Sequence, residues 1–514
     1  MIGSLLPLLA AVPLFVAALL TMLGHRPRVH AVVMLAVLTA SMGSGIALVY
    51  VFASGGVAAH GVAAWPFGIA IPFVADMFTA LMLTVTGLLS VTCVVFALAS
   101  GRASSRFFAP LILVLLAGVN GALLTADLFN LFVFIEVMLL PSYGLFVLAA
   151  QGRAPLRQIA GARLYATLSL LTSTVFLIGV GFVYGTAGTV NFAELAAAAK
   201  TDDTVAIAVS VCLFALGVKA SIVPVHGWLA RAYPATSPAI TALFSGLHTK
   251  VMIYVIYRIY AVVFDGDARW LWIGLIVFSA TMVIGVLGAV GENTTRSILA
   301  FHMVSQIGYI LLGVALFTGA GLTAGIFYML HHMIVKASLF LSTGAIEVRY
   351  GTGGIGKLSS IARREPVIAT AFFIAALSLA GLPPFSGFVA KLSLILASLE
   401  AGQVAVAVVM ILVSLITLLS MLKIWSGVFW GKAPPPDAEL QEDARATGSP
   451  ASAQAATITK TKPRIGVLLA APAVVLAAVT VGLGFGAELL LSVSQTAADG
   501  LLDPSAYVQA VIGS

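Results

Sequence analysis

Long apolar runs separated by short polar punctuation set the character of this chain. Leu5 to Leu23, Ala31 to Phe52 and Leu271 to Val290 each hold about twenty mostly apolar residues, the length that crosses a hydrocarbon core of roughly 30 Å. The alternating segments of about ten residues that a membrane barrel requires are absent, which leaves closed helical hydrogen bonding to satisfy the backbone in lipid. The pattern predicts an all-α integral membrane protein with about 14 transmembrane helices. The expected spans are 3–23, 29–53, 73–99, 107–125, 128–150, 160–185, 204–233, 237–263, 270–290, 294–317, 320–347, 366–400, 403–430 and 466–492.

Composition agrees with lipid as the main solvent: 61% of the residues are hydrophobic and 9% charged, against roughly 25% charged in a soluble protein. The net charge of +7 does not point to nucleic acid, because the basic residues are dispersed among short loops. Arg102, Arg153, Arg157, Arg363 and Arg364 fall in odd-numbered loops, whereas even-numbered loops hold only Lys200 and Arg269. The positive-inside rule then puts odd loops in the cytoplasm and both termini outside. Cys93 and Cys212 lie far apart in apolar segments, which disfavours a disulfide framework, a zinc site or an iron–sulfur cluster. The first apolar run has no basic residue ahead of it and reaches full spanning length, so it reads as a helix rather than a cleaved signal.

Two spans are too long and are interrupted by proline, span 7 at Pro224 and span 12 at Pro383 and Pro384. Aligned on Pro224 and Pro384, the segment Pro-Val-His-Gly-Trp-Leu-Ala-Arg meets Pro-Phe-Ser-Gly-Phe-Val-Ala-Lys. The match joins span 7 to span 12, and an odd offset reverses orientation in the membrane. Two inverted five-helix repeats are therefore expected, and broken helices at matching places in such repeats point to an ion site near the midplane. The chain divides into 1–106 (spans 1–3), 107–263 (first repeat), 270–430 (second repeat), 431–465 (a cytoplasmic linker, by its Pro, Ala, Ser and Thr content) and 466–514 (span 14 and an external tail).

Outside the loops, six basic residues remain: Lys219, Lys250, Arg258, Lys336, Lys391 and Lys423; of the acids only Glu136 sits well inside a span. At roughly 2.5–3.5 kcal/mol each, the four central lysines, Lys219, Lys250, Lys336 and Lys391, oppose insertion by roughly 10–14 kcal/mol. Arg258 and Lys423 lie nearer helix ends and are expected to snorkel. A buried lysine can hold its proton while a carboxylate is near and release it when the carboxylate withdraws, and Glu136 is the deep acid available to Lys219. A fixed Glu136–Lys219 ion pair is the bland alternative, but it leaves the other three lysines unexplained. His248, His331 and His332 are candidate proton relays, with His332 and Lys336 on one helix face by i, i+4 spacing. His226 and His302 read as structural, and Ser173, Thr249, Ser305 and Gln306 as either water-wire or packing groups. No third ligand accompanies His331 and His332, so no metal site is expected. Nor does the sequence carry a trustworthy nucleotide, flavin or haem signature, and no cofactor is expected.

Asp127-Leu-Phe-Asn-Leu-Phe-Val-Phe-Ile-Glu136-Val-Met, Leu216-Gly-Val-Lys219 with Pro224-Val-His-Gly-Trp-Leu-Ala, the Lys250 helix, and Gly381-Leu-Pro-Pro-Phe-Ser-Gly-Phe388 with Lys391 resemble the antiporter-like subunits of Mrp cation/proton antiporters and respiratory complex I. The likeness runs over nearly the whole chain and is strongest to the D-type subunit of multisubunit Na+/H+ antiporters, which suits lysine at position 391. It implies that Glu136, Lys219, Lys250, Lys336 and Lys391 form a transverse proton-transfer axis. It also implies obligate partner subunits of an Mrp complex, a bacterial plasma membrane, and secondary transport rather than enzymatic turnover. The alternatives are a proton-pumping subunit of complex I or of a membrane-bound hydrogenase, and a passive scaffold, which the broken helices and unpaired lysines disfavour.

Overall fold

The structure, a computed structural model, describes residues 2–24, 26–62, 65, 70–148, 156–431 and 464–513. Every expected span has a helical counterpart. The α-helices of six residues or more are α1 Leu8–Met22, α2 Pro27–Val51, α3 Met77–Ala99, α4 Phe108–Leu124, α5 Leu128–Val147, α6 Leu156–Ala187, α7 Asp203–Ala220, α8 Gly227–Ala232, α9 Pro238–Val262, α10 Leu271–Gly291, α11 Thr295–Leu316, α12 Gly319–Tyr350, α13 Pro366–Ala380, α14 Ser386–Glu400, α15 Val404–Ile424, α16 Val467–Phe485, α17 Ala487–Leu502 and α18 Ser505–Ile512. Among the described residues, 12 helices are long and apolar enough to cross a membrane, and α4 and α13 are shorter apolar helices.

Local chemistry sets the helix ends. Asp76, Asp127, Asp202, Thr294 and Thr318 cap α3, α5, α7, α11 and α12, each side chain accepting a first-turn backbone N–H. Pro27, Pro238 and Pro366 open α2, α9 and α13, where a missing N–H costs nothing.

Helices α9 and α12 are enclosed on all sides. The second packs against α3, α9, α11, α13, α14, α16 and α17 and so forms the centre of the bundle. Close approach between α10 and α11 depends on Gly285 and Gly308, where a Cβ would strike the backbone of the facing helix at Ser305 or Phe278.

Both long spans break where expected. Helix α7 ends at Ser221 (φ 69°) and α13 at Gly381 (φ 89°), both left-handed, and each break contains a cis peptide, Val223–Pro224 and Pro383–Pro384. The hydrogen bonds match at the same offset. Ile222 N donates to Gly217 O and Val225 N to Ile222 O, while Leu382 N donates to Leu377 O and Phe385 N to Leu382 O. These are paired C-terminal caps of the left-handed type. The likeness at Pro224 and Pro384 is thus one of backbone geometry as well as sequence.

Three of the boundaries that differ from expectation alter the picture. Residues Pro72–Ala75 are a strand, β2, antiparallel to β1 (Ala58–Gly61) in the register Ala58↔Ala75 to Gly61↔Pro72, so the third span starts only at Met77, after the Asp76 cap. The thirteenth ends at Ile424 and closes with a π-helical turn, Trp425–Phe429. The fourteenth stops at Gly486, and the expected tail is helical, forming α17 and α18. The expected linker lies outside the described residues from 432 to 463.

Candidate functional site

Glu136, on α5, is half-buried on a face that also exposes Phe129 and Leu140. It does not pair directly with Lys219. Ser173 of α6 stands between them: its hydroxyl donates a short hydrogen bond to Glu136 Oε1 and accepts one from Lys219 Nζ at 2.8 Å. Lys219 Nζ also donates to Ser169 O at 3.1 Å. The direct switching pair expected from sequence is therefore a three-member bridge. Lys219 can sit here because it lies one residue from the end of α7, at the break.

From Lys219 the polar groups continue inward. A cavity of about 20 Å³, lined by Ser169, Thr172, Lys219, Trp228 and His248 among others, joins Lys219 to His248; this is room for one water. His248 Nε2 meets Ser142 Oγ at 2.9 Å. On the same helix Lys250 Nζ donates to Ser245 O at 2.9 Å and Thr249 Oγ1 at 3.0 Å. Lys336 Nζ donates to Leu299 O at 2.9 Å and Lys391 Nζ to Ala380 O at 3.0 Å. Ala380 ends α13, so the break supplies Lys391 with a carbonyl that has no intrahelical partner.

All four lysines are buried, and among the described residues none has a carboxylate within ion-pair distance. Histidines fill the intervals. His332 lies within electrostatic reach of Lys250, Lys336 and His331, and His302 within reach of Lys336 and Lys391. Neither ring has a protein hydrogen-bond partner, although both are wholly buried, and a buried polar group normally has one, if only water. His331 Nδ1 meets Ser386 Oγ at 2.8 Å, tying α12 to the first residue of α14. Lys391 also faces the Tyr309 ring at 5.3 Å. Pro383 and Pro384 occupy the connection preceding α14, and Pro224 that preceding α8. Among the described residues no group of three or more His, Cys, Asp or Glu could hold a metal ion.

Two residues need a fuller account than their sequence reading. Arg258 does not snorkel: it is 2% exposed and holds Asp76 through its two terminal guanidinium nitrogens, Nη1 at 2.7 Å and Nη2 at 2.9 Å. Asp76 is thus a buried acid paired within the bundle, hidden from sequence because it lies near the end of the expected third span and nothing there marks its pairing with Arg258. Lys423 takes up the end of α10, donating to Val290 O and Glu292 O. Sequence reasoning leaves Ser173 undecided and reads His302 as structural. Their one signal is that each is polar within an apolar span, which many packing residues share.

Residues 125–417 match a family profile described as NADH:quinone oxidoreductase/Mrp antiporter, transmembrane. The match covers more than half of the chain. The chain belongs to this family. A relative from Alkalihalophilus pseudofirmus, named as the D-type subunit of a Na(+)/H(+) antiporter, is 38% identical over 87% of this chain and 86% of its own. A chain in the structure of the Mrp complex from Dietzia sp. DQ12-45-1b is 57% identical, superposes with a TM-score of 0.94 and is covered completely, as is this one. A chain of an archaeal membrane-bound sulfane sulfur reductase, 24% identical over 99% of each chain with a TM-score of 0.83, shares the fold. The sulfane sulfur reductase chain thus shares the architecture alone, whereas the Mrp-complex chain is also much more similar in sequence. The matched region spans the Glu136–Ser173–Lys219 bridge, both breaks and all four buried lysines.

Proposed function

We propose that this chain is the D-type, proton-translocating subunit of a multisubunit Na+/H+ antiporter in a bacterial plasma membrane, working with the other Mrp subunits. The observation that carries the reading is the Glu136–Ser173–Lys219 bridge at one end of a row of buried lysines without acid partners. Full-length likeness at 57% identity to a chain of an Mrp complex supports the antiporter over a redox-driven pump.

In the bridged state Glu136 offsets the Lys219 ammonium through Ser173. When the bridge opens, Lys219 carries an uncompensated charge in a low-dielectric site and gives its proton across the small cavity to His248 and Lys250. His332, Lys336 and His302 carry it on to Lys391, which passes it outward or to a neighbouring subunit. Glu136, half-exposed on α5, lies where a partner subunit would cover it. The five-helix repeats at 107–263 and 270–430 put one broken helix in each half, and by the loop charges both termini face outside.

The complete complex in liposomes should show Na+-dependent proton flux, and the purified single chain little or none. Full exchange by the lone chain would overturn the reading. Ser173→Ala should lower exchange by about tenfold, since a hydrogen bond to charged groups on both sides is lost, whereas Ser173→Thr, which keeps the hydroxyl, should remain active. Stopped-flow proton flux with a pyranine reporter checks both, and undiminished flux in Ser173→Ala would remove the bridge from the mechanism.

A further inference from the structure

A second cavity, of about 450 Å³, lies away from the lysine row, at the end of the bundle where α17 and α18 cap α3. It is bounded by Ser54, Asp76, Thr496, Asp499, Asp503 and Tyr507, together with the chain segment following α2. Asp499 and Asp503 stand exposed at its rim, while Asp76 is buried. Hydrogen bonds from the Ser505 side chain and backbone N–H hold the Asp503 carboxyl below its ordinary pKa. The loop charges predict that this end faces outside.

The cavity does not stop at Asp76. Asp76 Oδ1 accepts from Thr79 Oγ1 at 3.0 Å, and Thr79 Oγ1 shares a 2.8 Å hydrogen bond with Tyr254 Oη. Tyr254 Oη in turn donates to Leu123 O at 2.9 Å and accepts from Arg258 Nη2 at 3.2 Å. Lys250, Tyr254 and Arg258 are four residues apart on α9 and so share one face. Arg258 lies under the Tyr507 ring, 4.7 Å from its centroid. An ion pair this deep needs extensive desolvation, and a structural anchor alone has no need of a hydroxyl chain leading to the Lys250 helix.

We propose that Tyr254, Thr79 and Asp76 form an outer-face proton port for Lys250, opening into the cavity beneath α17 and α18. The inference rests on the proton-axis reading above. An outgoing proton leaves the Lys250 ammonium after that side chain swings one helical turn from Ser245 and Thr249 toward Tyr254. It binds the Tyr254 oxygen while the tyrosine's own hydrogen turns from Leu123 O to Thr79 Oγ1. Thr79 passes its hydrogen to Asp76, which releases it to the cavity; each hydroxyl gains one proton and gives one. Arg258 cannot release its own proton, so it is a fixed positive charge that keeps an arriving proton from lodging at Asp76. Inward movement reverses each step, and net exchange needs this port at Lys250 together with the onward path to Lys391, which serves transfer to a neighbouring subunit.

The test uses the assembled complex in oriented liposomes. Thr79→Val combined with Tyr254→Phe removes both hydroxyls and leaves Arg258 and Asp76 in place; exchange should fall tenfold or more, and Thr79→Ser alone should stay within twofold of the parent. In a separate arm, Ala506→Cys at the cavity wall should react from the outer side with a membrane-impermeant trimethylammonioethyl methanethiosulfonate, and labelling should lower exchange severalfold. Cys93 and Cys212 are both buried, so the parent is the control. This arm decides the matter if the double variant fails to assemble. Normal exchange in the assembled double variant, labelling only from the cytoplasmic side, or full labelling without effect would each overturn the port. Lys250→Ala separates the two proposals: an active Lys250→Ala complex removes the axis itself, whereas an inactive one beside a normal double variant removes only the port.

Discussion

Lys219→Arg is expected to abolish exchange in a fully assembled complex, as completely as Lys219→Ala. Arginine keeps the positive charge and can still meet Ser173 and Ser169, but it does not release its proton in a protein. If the Lys219 charge served only to hold α5, α6 and α7 together, Arg would preserve activity and Ala would lose it. If Lys219 passes protons, both fail, with a loss of at least a hundredfold, and Glu136→Gln fails with them. Size-exclusion chromatography of the intact complex establishes assembly, and proton flux reads the outcome. Activity in Lys219→Arg would make the charge structural.

A comparable loss should follow from Gly387→Ala, which touches no charge. The residue sits where the two half-helices of the broken span meet: Gly387 N donates to Ser378 Oγ at 3.2 Å, and a Cβ there would collide with Ser378 O and crowd His331. Backbone stands in the way, so α14 must shift, which overpacking data put at about 1–3 kcal/mol or more. Because α14 carries Lys391, and Ser386 holds His331, the shift misplaces both groups. Gly227, the aligned position in the first break, has open space around its would-be Cβ. Gly227→Ala should therefore assemble and transport like the parent, while Gly387→Ala loses thermal stability and most of its flux. Equal behaviour of the two variants would contradict the geometry of the second break.

Much of this architecture is legible in the chain because lipid makes strict demands. The apolar runs have to be helices, and the lysines left inside them have to be exceptional. Pro224 and Pro384 mark both breaks because each falls in an apolar run too long for one span, whereas Pro13, Pro141 and Pro472 lie inside continuous helices. What stays hidden depends on tertiary approach. Arg258 looks able to snorkel because its distance from the helix end is visible in sequence, but Asp76, 182 residues away, is not. Glu136 and Lys219 read as a direct pair because nothing marks Ser173 off from the other hydroxyls of α6. His302 passes as structural because its position between Lys336 and Lys391 arises only when α11, α12 and α14 pack. The strand pair β1–β2 is invisible for a simpler reason: Pro72–Ala75 is apolar and only Asp76 separates it from α3, so it reads as the start of the same hydrophobic run.

The order of events along the axis is the central claim, and single-turnover proton uptake into the assembled complex tests it most directly. The parent, Lys219→Ala and Lys391→Ala are compared after a rapid pH jump, with net exchange measured in parallel. If Lys391 ends the route within this chain, Lys391→Ala blocks net transport yet still takes up a fraction of the parent's protons, whereas Lys219→Ala loses the early switching phase of uptake as well. Parent-like uptake together with undiminished net transport in Lys391→Ala would take that lysine off the route and leave its proline-broken helix a structural feature only.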